Sequence, residues 1–262
     1  MKRSAFSHLE LDVAAPAQLI LSVAVAGHDL TELLTVNHNG TALTAHEVQD
    51  QHGTRLHIVD APAGRVIVDY TVEFDGVLPA ADITELDEVR YLRPSRYCES
   101  DTLGPTARNL FQGLHGRDLL AAVSSWVGQQ LYYVTGSSGP TDGAVATMLS
   151  RQGVCRDFAH LVVALLRALD VPARLVSVYA AGLYPMDFHA VAEAFVDGDW
   201  YAVDATTLAP RQTLMRIATG RDASDTAFLS TRGGAVTIHQ MEIGAVAEEL
   251  PRDDVTLMVK LG

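Results

Sequence analysis

The chain has 262 residues, of which 48% are hydrophobic and 19% are charged, a composition that excludes a disordered, collagenous or coiled-coil protein. With 19 basic and 32 acidic residues, its formal net charge of -13 argues against binding to nucleic acid or to an anionic membrane. The two cysteines, Cys98 and Cys155, are too few for a disulfide framework, and no signal peptide follows Met1, so we expect a cytoplasmic protein.

The first part of the chain, residues 1–104, shows the two-residue period of half-buried antiparallel strands. Apolar and polar residues alternate from Val66 to Phe74, and another alternation begins at Leu19. Turn-forming residues separate such runs at 37–40, 51–53 and 61–64. The pattern predicts a β-sandwich domain over residues 1–104.

The second part, residues 105–262, changes from helical to strand periodicity along the chain. Helices are predicted over 118–131, from an N-cap at 141–143 towards 149, and over 155–170. Strands are predicted over 174–179, 188–196 and 200–204, with a closing strand at 255–259. Because the helices precede the strands, we expect an α+β catalytic domain with helices packed on an antiparallel sheet.

Cys155 is the most informative single residue, because it lies in the first turn of the third predicted helix. A helix N-terminus presents free N–H groups and partial positive charge, which stabilise a thiolate, and Arg156 adds a neighbouring cation. The backbone N–H of Cys155 also points to where an oxyanion would develop. The alternative is a buried core cysteine, since Cys155 lies on the apolar stripe of its helix.

A predicted hairpin supplies partners for such a nucleophile. Asp197-Gly198 favours a type I′ turn, which pairs 196 with 199 and, by extension, 191 with 204. This register makes His189 and Asp204 diagonal neighbours, with Cβ atoms roughly 7 Å apart at most. A carboxylate beside an imidazole selects its tautomer and stabilises the imidazolium. The alternatives are that Asp204 only caps the next turn and that His189 is an ordinary sheet histidine.

Several motifs, taken together in chain order, resemble a known family. They are Gly153-Val154-Cys155-Arg156-Asp157-Phe158-Ala159-His160-Leu161, Val171-Pro172-Ala173-Arg174, Asp187-Phe188-His189-Ala190 and Trp200-Tyr201-Ala202-Val203-Asp204-Ala205-Thr206. They resemble the transglutaminase-like superfamily, in particular the bacterial group to which cysteine protease activity is attributed. The segment Leu92-Arg93-Pro94-Ser95-Arg96-Tyr97-Cys98-Glu99-Ser100-Asp101 also resembles that group, whose members carry a β-rich N-terminal domain.

The resemblance implies a papain-like, transglutaminase-like catalytic core. Cys155 would be the nucleophile, His189 the general base and Asp204 its partner. Tyr97 and Arg156 are further candidates for contacting the oxyanion or the substrate.

The chain departs from the family pattern at two positions near this triad. Many relatives have Trp two residues after the His and Pro after the Asp, where this chain has Val191 and Ala205. The triad itself is intact, so these departures bear on the pocket shape and the choice of substrate and leave activity open. Glu193 matches a common acidic position of the pattern, and we expect it to be a solvated strand residue.

The implied chemistry is acyl transfer on a peptide or protein amide through a thioester. Hydrolysis by a cysteine protease or amidase is the leading hypothesis. The alternatives are a transglutaminase that transfers the acyl group to an amine, and a catalytically silent binding module of the same fold. No cofactor is expected, because the chain has no phosphate-binding or dinucleotide fingerprint, and the spacing of its 10 histidines does not predict a metal site.

Overall fold

The computed structural model describes residues 1–28, 30–78 and 84–261. The helices within them are α1 (Glu85–Arg90), α2 (Ser100–Leu110), α3 (Gly116–Gln130), α4 (Ala144–Ser150), α5 (Cys155–Arg167) and α6 (Ala223–Thr226). The strands are β1 (Lys2–Val13), β2 (Ala17–Leu21), β3 (Thr31–His38), β4 (Thr41–Leu43), β5 (His46–Gln49), β6 (Arg55–Ala61), β7 (Gly64–Asp75), β8 (Tyr132–Tyr133), β9 (Gln152–Gly153), β10 (Ala173–Ala180), β11 (His189–Val196), β12 (Asp199–Val203), β13 (Leu214–Gly220), β14 (Leu229–Gly233) and β15 (Val236–Ala247). The predicted α+β class is confirmed.

Two antiparallel sheets form the β-sandwich. One has the strand order β15-β1-β7-β3-β4 and the other the order β14-β2-β6-β5. Leu9 and Val68 from the first sheet and Leu19 and Val59 from the second belong to a single buried apolar cluster. Alternate residues of β7 face this core, as the two-residue period predicts.

The last strands of the chain return to the sandwich and complete both of its sheets. β14 pairs with β2, and β15 pairs along nearly the whole of β1. The sandwich is therefore not confined to residues 1–104, and residues 229–247 do not belong with the predicted catalytic domain. Most side chains of β15 are exposed, so its sequence lacks the alternation that reveals a strand. The predicted closing strand at 255–259 is wrong, since these residues form a turn followed by irregular chain.

Helices pack around a third antiparallel sheet, which has four strands in the order β12-β11-β10-β13. The central helix is α5, which contacts β10 and β11 on one side and α2, α3 and α4 on others. Leu161, Leu165 and Leu166 are consequently fully buried. Among the described helices, none is both long and apolar enough to cross a membrane.

A buried carboxylate ties three strands of this sheet together. Glu193 of β11 accepts hydrogen bonds from Arg174 of β10 at 2.7 Å and from Arg216 of β13 at 2.6 and 2.9 Å. Only 1% of Glu193 is exposed, so the prediction that it is a solvated residue is wrong. Burial alone would raise its pKa, but the two guanidinium charges outweigh burial and lower the pKa to about 2. Glu193 is therefore a structural anion of the core.

The same cluster joins the core to the sandwich. His52, in the turn before β6, lies 3.4 Å from Nη1 of Arg174 and 2.9 Å from the hydroxyl of Tyr91. Arg174 also stacks over the ring of Trp200 at 3.9 Å from its centroid. Burial and the charge of Arg174 lower the pKa of His52 to about 4, so its imidazole is neutral near pH 7. A neutral ring at this junction adds no further cation to the pair Arg174 and Arg216.

We expect Glu193→Gln to lower the free energy of unfolding by about 3–5 kcal/mol, because it leaves the guanidinium groups of Arg174 and Arg216 buried without a counter-charge. Urea unfolding followed by circular dichroism measures this change. Glu249→Gln, at an exposed position, is the matched control and should alter the free energy by no more than about 0.5 kcal/mol. Equal stability of the two variants would contradict the structural role of Glu193.

Candidate active site

The N-terminus of α5 holds a half-buried cysteine in a tightly built turn. Cys155 is the first residue of α5, as the sequence predicts. The carboxylate of Asp157 accepts a hydrogen bond from the backbone N–H of Val154 at 2.8 Å and another from the hydroxyl of Ser138 at 2.9 Å. A Cβ at Gly153 would lie 2.6 Å from the Cβ of Asp157, so glycine is required for this close approach. The turn thereby orients the first N–H groups of the helix.

The hairpin between β11 and β12 has the predicted register. Asp197 and Gly198 both have positive φ angles, 53° and 86°, as a type I′ turn requires. Val196 pairs with Asp199, and the pairing continues without a shift to the end of β12. The register prediction is therefore confirmed, and the residue after β12 is carried towards the start of β11.

His189 and Asp204 meet as this register requires. Nε2 of His189 lies 3.0 Å from Oδ2 of Asp204, and both side chains are buried. The other carboxylate oxygen accepts hydrogen bonds from the backbone N–H of Thr206 at 2.8 Å and from its hydroxyl at 2.7 Å. Asp204 therefore caps the following turn with one carboxylate oxygen and orients the imidazole with the other. The predicted triad role and the predicted capping role are both compatible with this structure.

Helix α3 holds the backbone on which Asp204 is carried. The hydroxyl of Ser124 donates a hydrogen bond to the carbonyl oxygen of Asp204 at 3.3 Å. One helical turn later, Gly128 packs directly against the next residue, because a Cβ there would lie 2.6 Å from the carbonyl oxygen of Ala205. The position of the carboxylate thus depends on a helix that precedes it by about 80 residues.

The buried pair carries opposite charges. Burial alone would lower the pKa of His189, but the charge and hydrogen bond of Asp204, together with the thiol of Cys155, raise it to about 10. Burial would raise the pKa of Asp204, but His189 and Thr206 lower it. Nδ1 of His189 is also buried and has no hydrogen-bond partner in the part of the chain that the structure describes. Nδ1 is therefore the ring nitrogen that Asp204 does not engage.

Cys155 and His189 line one cleft, which also contains both of the further candidates. Tyr97 stacks its ring on His160 at 5.2 Å between centroids, and its hydroxyl donates a hydrogen bond to the carbonyl oxygen of Pro140 at 2.9 Å. The tyrosine hydroxyl is thus already engaged outside the triad.

Arg156 also lines the cleft, and its guanidinium forms hydrogen bonds to a neighbouring loop. It donates hydrogen bonds to the hydroxyl of Ser138 at 2.5 Å and to the carbonyl oxygen of Gly139 at 2.8 Å. Both bonds come from Nη2, and Nε makes no hydrogen bond to any described residue, so the loop uses only part of the donor capacity of Arg156.

Sequence reasoning missed Tyr133. The short parallel pairing of β8 with β9 places Tyr133 opposite Gly153, two residues before Cys155. Burial and then contact with Cys155 raise the pKa of Tyr133 to about 12, so its phenol stays protonated near pH 7. A strand of two residues has no periodicity, and this pairing spans 20 positions of the chain, so the sequence offered no signal for it.

The two departures from the family pattern lie away from the cleft. Val191 is buried in a small apolar cluster with Val176 and Val178 behind the sheet. Ala205 packs against α3 instead, next to Gly128. Within the described chain, neither side chain lines the cleft beside Cys155.

Comparisons with known proteins relate the chain to one family. A family model described as the transglutaminase-like superfamily matches residues 107–205, which include Cys155, His189 and Asp204. A solved structure from Cytophaga hutchinsonii, described as a "putative cysteine protease", is 32% identical, covers 97% of this chain and 92% of its own, and has a TM-score of 0.87. An uncharacterized protein of Mycobacterium leprae, ML0607, is 25% identical over 210 residues, which cover 74% of this chain and 73% of that protein.

We expect Gly128→Ala to lower the free energy of unfolding by about 1–3 kcal/mol, because its methyl group would collide with the carbonyl oxygen of Ala205. Thermal unfolding measures the change. Gly104→Ala in α2 is the matched control, since its Cβ would meet only the flexible end of Arg108. A helical glycine replaced without collision gains about 0.5–1 kcal/mol, so the two variants should change stability in opposite directions. A shift of the same sign and size in both would contradict the close approach of α3.

Proposed function

The chain belongs to the transglutaminase-like superfamily, and from this premise we propose that it is a cysteine-dependent amide hydrolase, a peptidase or amidase that acts on a peptide or protein amide through a thioester. The observation that carries the proposal is the buried His189–Asp204 pair, whose imidazole lines the same cleft as a half-buried cysteine at a helix N-terminus. The description of the Cytophaga hutchinsonii protein as a cysteine protease supports the same class.

The first half-reaction uses all three side chains. An imidazolium at His189, stabilised by Asp204, favours the thiolate form of Cys155 by its charge, as does the helix N-terminus. The thiolate attacks the amide carbonyl carbon, and Nδ1 of His189 then gives its proton to the departing amine as the C–N bond breaks. The products of this step are a free amine and a thioester on Cys155.

The second half-reaction restores the enzyme. The neutral imidazole of His189 accepts a proton from water, and the resulting hydroxide attacks the thioester carbonyl. Breaking the C–S bond releases a carboxylic acid and returns the thiolate. Cys155 is only partly buried and opens to solvent, which favours water as the acceptor.

Two groups beside the sulfur suit the oxyanion that forms in both steps. One is the backbone N–H of Cys155, the first residue of α5. The other is the hydroxyl of Tyr133, a protonated donor that lies next to Cys155. Tyr97 is less suited, since its hydroxyl already donates to Pro140.

We expect iodoacetamide to alkylate Cys155 at pH 6 at least about 30-fold faster in the wild type than in His189→Ala, because the imidazolium maintains the thiolate. The pKa of His189, raised to about 10, keeps the imidazolium from pH 6 to pH 9. The rate should therefore change by less than about threefold over this range, whereas that of an unactivated thiol rises roughly 200-fold. Mass-spectrometric mapping of the alkylated peptides measures both rates.

Cys98 is the internal control for this labelling. It is fully buried, and burial raises the pKa of its thiol to about 12, so it should remain unlabelled in the folded protein. A pH profile of Cys155 that follows an ordinary thiol, or an unchanged rate in His189→Ala, would refute the activated nucleophile.

The fate of the thioester separates hydrolysis from the two alternatives. We expect wild-type protein to release the amine product from at least one substrate in a panel of isopeptide, peptidoglycan-like and simple peptide amides, without covalent incorporation of an added fluorescent primary amine. Cys155→Ala should abolish that release, and mass spectrometry of the products detects both reactions. Amine incorporation into the acyl product would instead identify a transglutaminase. Turnover of no amide by a fully folded wild type would favour a binding module.

A further inference from the structure

The cleft beside Cys155 continues beyond the reacting groups into a space between the core and the sandwich. Its volume is about 400 Å³, within the usual range of ligand sites. The core supplies one side from β10, β11 and β13. The opposite side comes from Met241 of β15 and from Phe228, which precedes β14. The strands that return to the sandwich therefore also border the candidate active site.

This extension is apolar. Phe188 and Phe228 stack with their ring centroids 4.9 Å apart, and buried Leu175 and Ile217 lie behind them. Met241 lies on β15, an edge strand of the sandwich, and is 37% exposed to solvent. Partly exposed aromatic and thioether groups around a preformed hollow favour an apolar ligand, because binding removes them from water.

The charged groups of the cleft lie at its reactive end. Arg156 directly follows Cys155, and Asp187 lies two residues before His189. The apolar part therefore begins directly beside the reacting groups. A pocket that binds a side chain next to the scissile bond would have this position.

Ser177 adds one polar atom to the apolar part. Its hydroxyl oxygen is buried at the lining of the cleft and makes no hydrogen bond to any described residue. A ligand atom that reaches this hydroxyl would form a hydrogen bond that the described residues do not supply. The pocket thus tolerates a hydroxyl on an otherwise apolar side chain.

The position of the sulfur indicates which part of a substrate occupies the pocket. Cys155 packs against the buried cluster of Ala159, Leu175 and Ala190, which includes lining residues of the cleft. During catalysis the acyl portion stays attached to the sulfur, whereas the amine portion leaves. A pocket that borders the sulfur therefore stays next to the acyl portion through both half-reactions.

We propose that this pocket binds a large apolar side chain, preferably aromatic, on the acyl side of the scissile amide, and that Met241 of the sandwich forms its outer wall. The substrate class is thus a peptide with an aromatic or large aliphatic residue at the bond that is cleaved. The proposal rests on the thioester chemistry proposed above.

The test compares reagents that differ only in the side chain offered to the pocket. N-acetyl chloromethyl ketones of phenylalanine, tyrosine and glycine alkylate an active-site thiolate with loss of chloride, and mass spectrometry gives the second-order rate at Cys155. We expect the phenylalanine reagent to react at least about 10-fold faster than the glycine reagent, and the tyrosine reagent at least as fast as the phenylalanine reagent. A ratio of phenylalanine to glycine near one, or a tyrosine reagent about 10-fold slower than phenylalanine, would overturn the proposed pocket.

A pair of variants on β15 tests the contribution of the sandwich. Met241→Ala should reduce the phenylalanine-to-glycine ratio about threefold or more by removing the outer wall. Ile238→Ala is the matched control, since Ile238 is 41% exposed on the same strand and lies outside the cleft. The same loss in both variants, or in neither, would refute the assignment of Met241.

Iodoacetamide separates a failure of this inference from a failure of the proposed function, because it carries no side chain for the pocket. Fast labelling by iodoacetamide with equal rates for all chloromethyl ketones would leave the activated thiol intact and reject the pocket. Labelling of Cys155 no faster than an ordinary thiol would reject the proposed function itself. A phenylalanine preference that persists under that condition would still support the pocket as a binding site.

Discussion

The pairing of His189 with Asp204 imposes the strictest geometric demand in this protein. His189 begins β11 and Asp204 directly follows its neighbour β12, so a slip of one residue in the hairpin would turn the carboxylate to the opposite face of the sheet. The Asp197-Gly198 turn sets the register, while Thr206, Ser124 and the close packing of α3 hold the end of the strand. A buried ion pair tolerates little misplacement, which explains why so many contacts converge on one carboxylate.

The sheet of the core contains more buried charge than its apolar sequence suggests. β11 carries both His189 and Glu193, and each is neutralised by residues on other strands. Glu193 joins β10, β11 and β13 through two guanidinium groups, and Arg174 extends the cluster to His52 in the sandwich. The same set of charges therefore fixes the geometry of the sheet and the junction between the two layers.

The sandwich is part of the candidate active site rather than a separate appendage. Its last strand, β15, pairs with the first strand of the chain and presents Met241 to the cleft. β1 and β15 thus meet in one sheet, and the core between them in the chain is held against that sheet. A cleft wall built in this way depends on both layers being folded.

The features that depend on local chemistry could be predicted from the amino-acid sequence. The Asp197-Gly198 turn dictated the register that unites His189 with Asp204, and the helical period with Gly153 located Cys155 at the start of α5, because turns and helix ends are decided by residues close in the chain. Only the tertiary structure decided that Glu193 is buried, that Tyr133 lies beside Cys155, and that residues 229–247 complete the sandwich. Each of these depends on contacts between distant segments: an exposed edge strand has no periodic pattern, and the burial of a carboxylate is set by the arginines that other strands bring to it.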